Sequence, residues 1–465
     1  MKKTITRVIL VTLLLLTTGT ALADPPVGHW EGAIELPNAV LTVKIDLAQG
    51  ADGAWSGTID IPQQGAVGLA LTGIRAAADS VTFAIADIPG APTFAGAMGK
   101  DGIRGTFSQG GTAFPFHLGR EIAPPPARPQ EPKPPFPYLA EEVGFASGDV
   151  HLAGTLTIPA GDGPFPAAVL LTGSGSQNRD EEIFGHKPFL VLADFLSRRG
   201  VAVLRCDDRG VGGSGGSTRN STTSDFADDA LAGVRFLRAR PEIAADQVGL
   251  IGHSEGGIVG PLAASRSPGE VAFVVMMAGT GVPLGEVVLR QVALITAAAG
   301  ADSAAVAKEV ATTTLVLDLV AAGADSLTIR GELEAAIRAA EPTLTAEQQA
   351  GTVDGHLAGI LSPWFRYAVT LDPRVALRRL VCPVLAINGE LDLQVDPEQN
   401  LPEIERALAE AGNPDVTIVR LPGLNHVFQP AGTGSPTEYG TIEETIDPKA
   451  LTAIGDWIGA RFGPR

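Results

Sequence analysis

The sequence predicts an α/β protein: a mostly parallel sheet covered by helices, carrying a helical cap insert and preceded by a small antiparallel β domain. Three observations lead there. From Glu141 onward, short apolar runs alternate with stretches of helical length, the pattern of a parallel sheet buried on both faces. Before about residue 120 the rhythm differs, with short alternating runs separated by Gly and Asp turns. Between the two lies a segment containing Pro124, Pro125, Pro126, Pro129, Pro132, Pro134 and Pro135. Proline at that density neither pairs as a central strand nor continues a helix, and it favours an extended, semi-rigid spacer.

Taken in order, the chain opens with positive charge at Lys2 and Lys3, an apolar core from Val8 to Leu16, and small residues at Ala21-Leu22-Ala23. This is the pattern of a secretory signal peptide over residues 1–23, cut before Asp24. The apolar run is too short to span a membrane. No cysteine follows the expected cut, so no lipid anchor is expected. The expected product is soluble and exported, to the periplasm or the exterior.

Residues 24–120 form the β-rich domain. Runs at 40–47 and 55–61, with turn signals at Asp52-Gly53 and Asp101-Gly102, predict an antiparallel barrel or sandwich. Trp30, Trp55 and Phe107 are read as its core. No cluster of His, Cys or paired carboxylates occurs there, so no chemistry is expected of it. The linker covers 121–138.

In residues 139–465 a hairpin (142–145 and 152–158) leads into a buried strand at 167–171. Helix 187–199, strand 201–205, helix 225–238 and a strand ending at Ile251 follow. A strand at 271–276 precedes an Ala- and Leu-rich helical insert at about 284–378, read as a cap over the strand C-terminal ends. Strands 384–387 and 416–420 and a helix at 448–462 complete the domain.

The 465 residues are 45% hydrophobic and 18% charged, enough apolar content for a large core. A net charge of −18 argues against nucleic acid and anionic membrane surfaces as partners, and it serves solubility. The pattern implies no cofactor and no metal.

The chemistry centres on Gly252-His253-Ser254-Glu255-Gly256, placed between an apolar strand pattern and a small-residue helix pattern. Gly-x-Ser-x-Gly in that context is the signature of a nucleophile elbow, a strained turn that lifts the serine above the sheet edge. A serine hydroxyl needs a base. Of the seven histidines, His426 sits in a loop directly after the last predicted strand and is assigned as that base. His253 adjoins Ser254, but its side chain should point away from the nucleophile. The base needs a carboxylate to fix its tautomer. Asp392, just beyond strand 384–387, is assigned, with Glu390 and Asp396 as rivals. For the oxyanion, the backbone N–H of Glu255 and that of Ser174, or of Gly175, are the expected donors. Trp364 and Phe365, at the end of the insert, either line a substrate pocket or pin the cap to the sheet.

Taken together, 172–181, Asp208-Arg209-Gly210, the elbow, 389–392 and Asn425-His426 resemble the α/β-hydrolase superfamily, and within it a group of bacterial exported serine esterases. The order Ser254, Asp392, His426 is that of the α/β-hydrolase fold. The resemblance covers about residue 138 to the C-terminus. It implies a carboxylic-ester hydrolase acting on small ester substrates with short acyl chains through an acyl-enzyme. The group borders on aminopeptidases and acyltransferases. A peptidase would need a charged group to seat a chain terminus, for which Glu255, Arg179 or Asp180 could serve. A reading of another class has the β domain bind a glycan beside a vestigial hydrolase. The resemblance also makes Asp208 and Arg209 structural, and Thr172 stands where many hydrolases carry His. With the strand order the resemblance implies, Cys206 and Cys382 should lie roughly 19 Å apart laterally, too far for a disulfide. Both are expected to be buried.

Overall fold

The structure, a computed structural model, describes residues 26–36, 39–50, 52–61, 66–77, 79–86, 88, 92–109, 112–120, 127–340 and 346–463. The expected leader at 1–23 and the start of the linker lie outside the described residues. The β domain is a closed barrel of eight antiparallel strands in sequence order: β1 (Gly28–Leu36), β2 (Ala39–Gln49), β3 (Trp55–Ile61), β4 (Ala66–Ala76), β5 (Ser80–Ile85), β6 (Thr93–Gly99), β7 (Gly102–Gln109) and β8 (Thr112–Gly119). Pairing of β1 with β8, for example Glu31 with Gly119, closes it and removes both sheet edges. Alternate residues point inward, and Phe83, Phe94, Phe107 and Phe116 pack there with centroids 4.8–5.1 Å apart. Trp30 and Phe107 are core residues, and Trp55 packs against that core from a half-buried position.

The second domain is an eight-stranded sheet in the order β16-β15-β14-β13-β11-β12-β10-β9. Its strands are β9 (Leu139–Ser147), β10 (Val150–Ile158), β11 (Phe165–Leu171), β12 (Ala202–Cys206), β13 (Ile243–His253), β14 (Val274–Met277), β15 (Val384–Gly389) and β16 (Val416–Leu421). The pairs from β12 to β16 are parallel, and the β9–β10 hairpin adds an antiparallel edge. The central strands are buried over most of their length, so period-two alternation sorts their side chains between two cores. Ala167 and Val169 face one side, with α2 (Thr223–Arg238) and α3 (Gly256–Arg266). Ala168 and Leu170 face the other, with α1 (Pro188–Ser197) and α11 (Pro448–Phe462).

The insert leaves the C-terminal end of β14 as α4 (Leu284–Ala298), α5 (Ser303–Ala321), α6 (Ser326–Ala340), α7 (Ala346–Ile360), α8 (Pro363–Thr370) and α9 (Pro373–Leu377). It has an apolar cluster of its own, with Val320, Ile329, Leu333, Val353 and Leu357 buried and Phe365 against them. One helix goes beyond the sequence reading, α10 (Pro397–Glu410), capped by Asp396. Its helical signal is masked by Pro397 and Pro402; the first is harmless at N1, the second removes one intrahelical bond.

Three strands lie between β12 and β15, and Cys206 and Cys382 are both free. Each is half-buried against the core rather than fully buried as expected. Burial pushes the Cys382 thiol up to about 11 and Cys206 higher still.

The described part of the linker does not hang free. Arg128 donates to the carbonyls of Phe184, Gly185, Gly440 and Ile442, and Gln130 bonds the backbone of Thr445 and Ile446. Beside Arg128, His186 is 1% exposed, with Nε2 donating to the Tyr439 carbonyl at 3.0 Å and Nδ1 3.0 Å from Thr445 Oγ1. Burial, aided by the Arg128 charge, lowers its pKa to about 4 from 6.5. The unfolded chain therefore binds a proton that the folded one refuses between those values. The contribution to stability is whole above pH 6.5 and is lost as pH falls toward 4. We predict that urea unfolding of His186→Gln between pH 7 and 4.5 loses part of the acid-side slope, by at most roughly 1.4 kcal/mol per pH unit. An unchanged slope would exclude His186 as its source.

Candidate active site

Ser254 occupies the turn between β13 and α3 at φ 53°, the left-handed region that L-residues avoid without compensation. Two glycines make the turn possible. A Cβ on Gly252 would lie 1.9 Å from the Gly256 carbonyl oxygen, and one on Gly256 would lie 2.1 Å from that of Leu171. The Ser254 N–H donates to the Met277 carbonyl at 2.9 Å, which fixes the turn to the end of β14. The N-terminus of α3 starts beneath it, so backbone N–H groups and the helix dipole favour negative charge there.

The loop after β11 runs against this turn. A Cβ on Gly173 would touch Ser254 Cβ at 3.4 Å. Gly173 N–H is itself committed, donating to Glu181 Oε1 at 2.7 Å. The N–H groups of Ser174, Gly175 and Glu255 donate to no protein group among the described residues. The loop is held by charges on β12 and its extension. Asp208 accepts from Thr172 Oγ1 and Gln177 N–H, both at 2.8 Å, and burial raises its pKa to about 7. Arg209 is paired with Asp229 at 2.5 Å. Thr172, in the position where histidine is usual, is thus a loop anchor.

Asp392 follows β15 and His426 follows β16, and the two meet. His426 Nδ1 is 2.8 Å from Asp392 Oδ2, and both residues are buried. Asp392 Oδ1 accepts the N–H groups of Gln394 and Val395 at 2.8 Å each, so the carboxylate is fully satisfied while it orients the ring. The rivals are engaged elsewhere. Asp396 caps α10 and pairs with Arg290 of α4 at 2.6 Å, and Glu390 accepts from Gly423 N–H at 3.1 Å. Between Ser254 Oγ and His426 no hydrogen bond is closed among the described residues; such links commonly tighten only with substrate.

The charged groups that might seat a peptide terminus are also spoken for. Arg179 binds Asp207, Glu142 and Thr155, and Asp180 pairs with Arg205. Glu255 is 7% exposed, and its Oε1 accepts from Thr223 Oγ1 at 2.8 Å and from Trp364 Nε1 at 2.7 Å. Burial raises its pKa against the pull of those two donors.

Trp364 therefore latches α8 to Glu255, the residue after Ser254, while Phe365 packs, half-buried, against the cap's own apolar cluster. One partner missed by the sequence reading is His253, which binds Glu181 Oε1 through Nδ1 at 2.9 Å and the His426 carbonyl through Nε2 at 3.0 Å. Nothing in the sequence relates it to a carboxylate 72 residues upstream. We predict that Trp364→Phe, which keeps the ring and removes the N–H, loosens the cap by about 1–3 kcal/mol. Hydrogen exchange over 284–378 should rise while relative rates across an acyl-length series stay the same. A changed length preference would instead make Trp364 part of the pocket.

Comparison with known proteins adds to this geometry. Residues 187–429, just over half the chain, match the family described as serine aminopeptidase, S33. The chain is 30% identical over 329 residues to an esterase, EstD, of Thermotoga maritima, covering 69% of each protein. Among solved structures it is similar to the Pyrococcus furiosus esterase Pf2001, with a TM-score of 0.41 and 18% identity over 70% of this chain and 94% of the other. Another is Est1E of Butyrivibrio proteoclasticus with ferulic acid bound, with a TM-score of 0.40 and 15% identity over 68% and 96%. On the match to residues 187–429 and the likeness to EstD, together with the elbow and the parallel sheet beneath it, this chain belongs to the α/β-hydrolase superfamily of serine hydrolases.

Proposed function

We propose that the protein is a carboxylic-ester hydrolase acting through an acyl-enzyme, with Ser254, His426 and Asp392 as its triad. The observation that carries the reading is the 2.8 Å bond between Asp392 and His426 beside a serine held at positive φ. His426 Nε2 takes the proton of Ser254 Oγ as the oxygen attacks the ester carbonyl. The oxyanion then lies against the N–H of Glu255 and the N–H of Ser174 or Gly175. Collapse expels the alcohol, protonated by His426, and water repeats the sequence to release the acid. The name of the Thermotoga maritima relative, an esterase, supports ester chemistry. The commitment of Arg179, Asp180 and Glu255 to internal partners weighs against a peptidase, which would need one of them free. Short acyl chains are the preferred substrates in this reading.

Ser254→Ala should cost on the order of 10⁴-fold in turnover of short p-nitrophenyl esters and abolish labelling by a fluorophosphonate. Asp392→Asn should cost far more than Asp396→Asn or Glu390→Gln. The opposite ranking would reassign the acid, and faster turnover of aminoacyl-p-nitroanilides than of esters would favour the peptidase.

Export through a leader at 1–23 belongs to the same proposal and rests on the sequence pattern. Sequencing of the exported product should start at Asp24; an intact Met1 on that product would refute the leader.

A further inference from the structure

The elbow's own histidine, His253, has no part in the scheme above, yet it touches both loops that the scheme needs. His253 is 7% exposed and Glu181 3%. Glu181 Oε1 lies 2.9 Å from His253 Nδ1 and 2.7 Å from Gly173 N, in the loop that offers the oxyanion donors. On its far side, His253 Nε2 lies 3.0 Å from the backbone carbonyl of His426. A carboxylate and a carbonyl can only accept, so each of these two contacts requires a proton on the imidazole nitrogen that makes it. The carboxylate is itself held in place. Glu181 sits at φ 51°, its N–H donates to the Asn178 carbonyl, and Asn178 Oδ1 accepts from the N–H groups on either side of it, Asp180 and Glu182.

We propose that Glu181 and His253 form a buried carboxylate–imidazolium pair that positions the oxyanion loop and the His426 loop relative to each other, with His253 protonated on both ring nitrogens throughout turnover. The proposal rests on the triad reading above. His253 is a positioning residue: it reaches the chemistry through the backbone of His426. The groups facing it are Glu181, the His426 ring at 4.9 Å between centroids, the Phe428 ring at 6.3 Å, and the charge of Asp392 beyond His426. Burial alone would push a histidine there down, and the Glu181 carboxylate more than offsets it, so its pKa is raised above 6.5.

The pair also sets the charge that His426 experiences. With both members ionised, Glu181 and His253 cancel and Asp392 remains the uncompensated charge beside His426. Removing the cation alone leaves a bare carboxylate nearby, which favours protonated His426. Removing the anion alone lets His253 become neutral, so the balance is kept while the contact between Nε2–H and the His426 carbonyl is lost.

The test is a two-by-two set, wild type, Glu181→Gln, His253→Gln and the double variant, with Ser254→Ala alongside. We expect kcat to fall roughly 10- to 100-fold in each single variant at little-changed KM, since displacement of a catalytic group by about 1 Å costs that much. The acid limb of kcat/KM should move to higher pH in His253→Gln and stay in place in Glu181→Gln. In the double variant it should return to the wild-type position, with kcat no lower than in the worse single variant. Additive losses with an unmoved limb would overturn the proposal. Nitrogen-15 NMR of histidine-labelled wild-type enzyme gives an answer independent of variant folding. Both ring nitrogens of His253 should read as protonated at pH 6.5, and an unprotonated one there would overturn the pair. Turnover that survives Ser254→Ala would defeat the triad reading itself; its loss together with an unmoved limb defeats only this proposal.

Discussion

The left-handed turn at Ser254 is the constraint to which the rest of the catalytic domain is fitted. Without Gly252 and Gly256 the strand, the helix and the loop after β11 could not approach one another so closely. That approach in turn depends on sheet order. Because β13 lies between β11 and β14, the loop after β11 arrives on one side of the serine, and the end of β14 accepts its N–H on the other. Parallel β15 and β16 then deliver Asp392 and His426 at the same edge, from loops that would otherwise have no reason to meet.

The loop after β11 and the extension of β12 are tied down by a set of internal ion pairs. Asp207 with Arg179, Asp180 with Arg205 and Asp229 with Arg209 all connect the loop after β11, or the extension of β12, to neighbouring elements. Each has at least one partner largely out of water. Removing one member of such a pair costs about 3–5 kcal/mol, because the other charge is left without compensation. In a protein of net charge −18, three of the scarcer cations, Arg179, Arg205 and Arg209, are spent on this region. Loops fixed in this way need little reorganisation as charge develops on a substrate oxygen.

The elbow was legible in the sequence because its demands are local and steric: glycine two residues before and after a serine, between a strand and a helix. The strand–helix alternation was legible for a similar reason, since each element carries its own period. Choosing Asp392 over Glu390 and Asp396 was less secure, because all three sit in one loop and only tertiary contacts separate them. Closure of the barrel could not be told from a sandwich, since it depends on β1 meeting β8 far along the chain. The pairing of Glu181 with His253 and that of Trp364 with Glu255 were illegible in the same way. Such contacts obey no period, and a residue type alone does not identify its partner.

The proline-rich segment is the clearest case of composition reporting less than contact does. Its prolines exclude helix and central strand, yet they say nothing about whether the backbone docks. Arg128 spans two loops with four donated hydrogen bonds, to 184 and 185 on one side and 440 and 442 on the other. Gln130 donates to the Ile446 carbonyl and accepts from the N–H groups of Thr445 and Ile446. The first of those loops continues from the segment after β11 through Glu181 to His186, and the second follows the loop that carries His426. The stretch from about residue 127 therefore acts as an outer strap on the same two loops that Glu181 and His253 join from inside. Through Arg128 and Gln130, the described part of the linker packs as part of the second domain's surface.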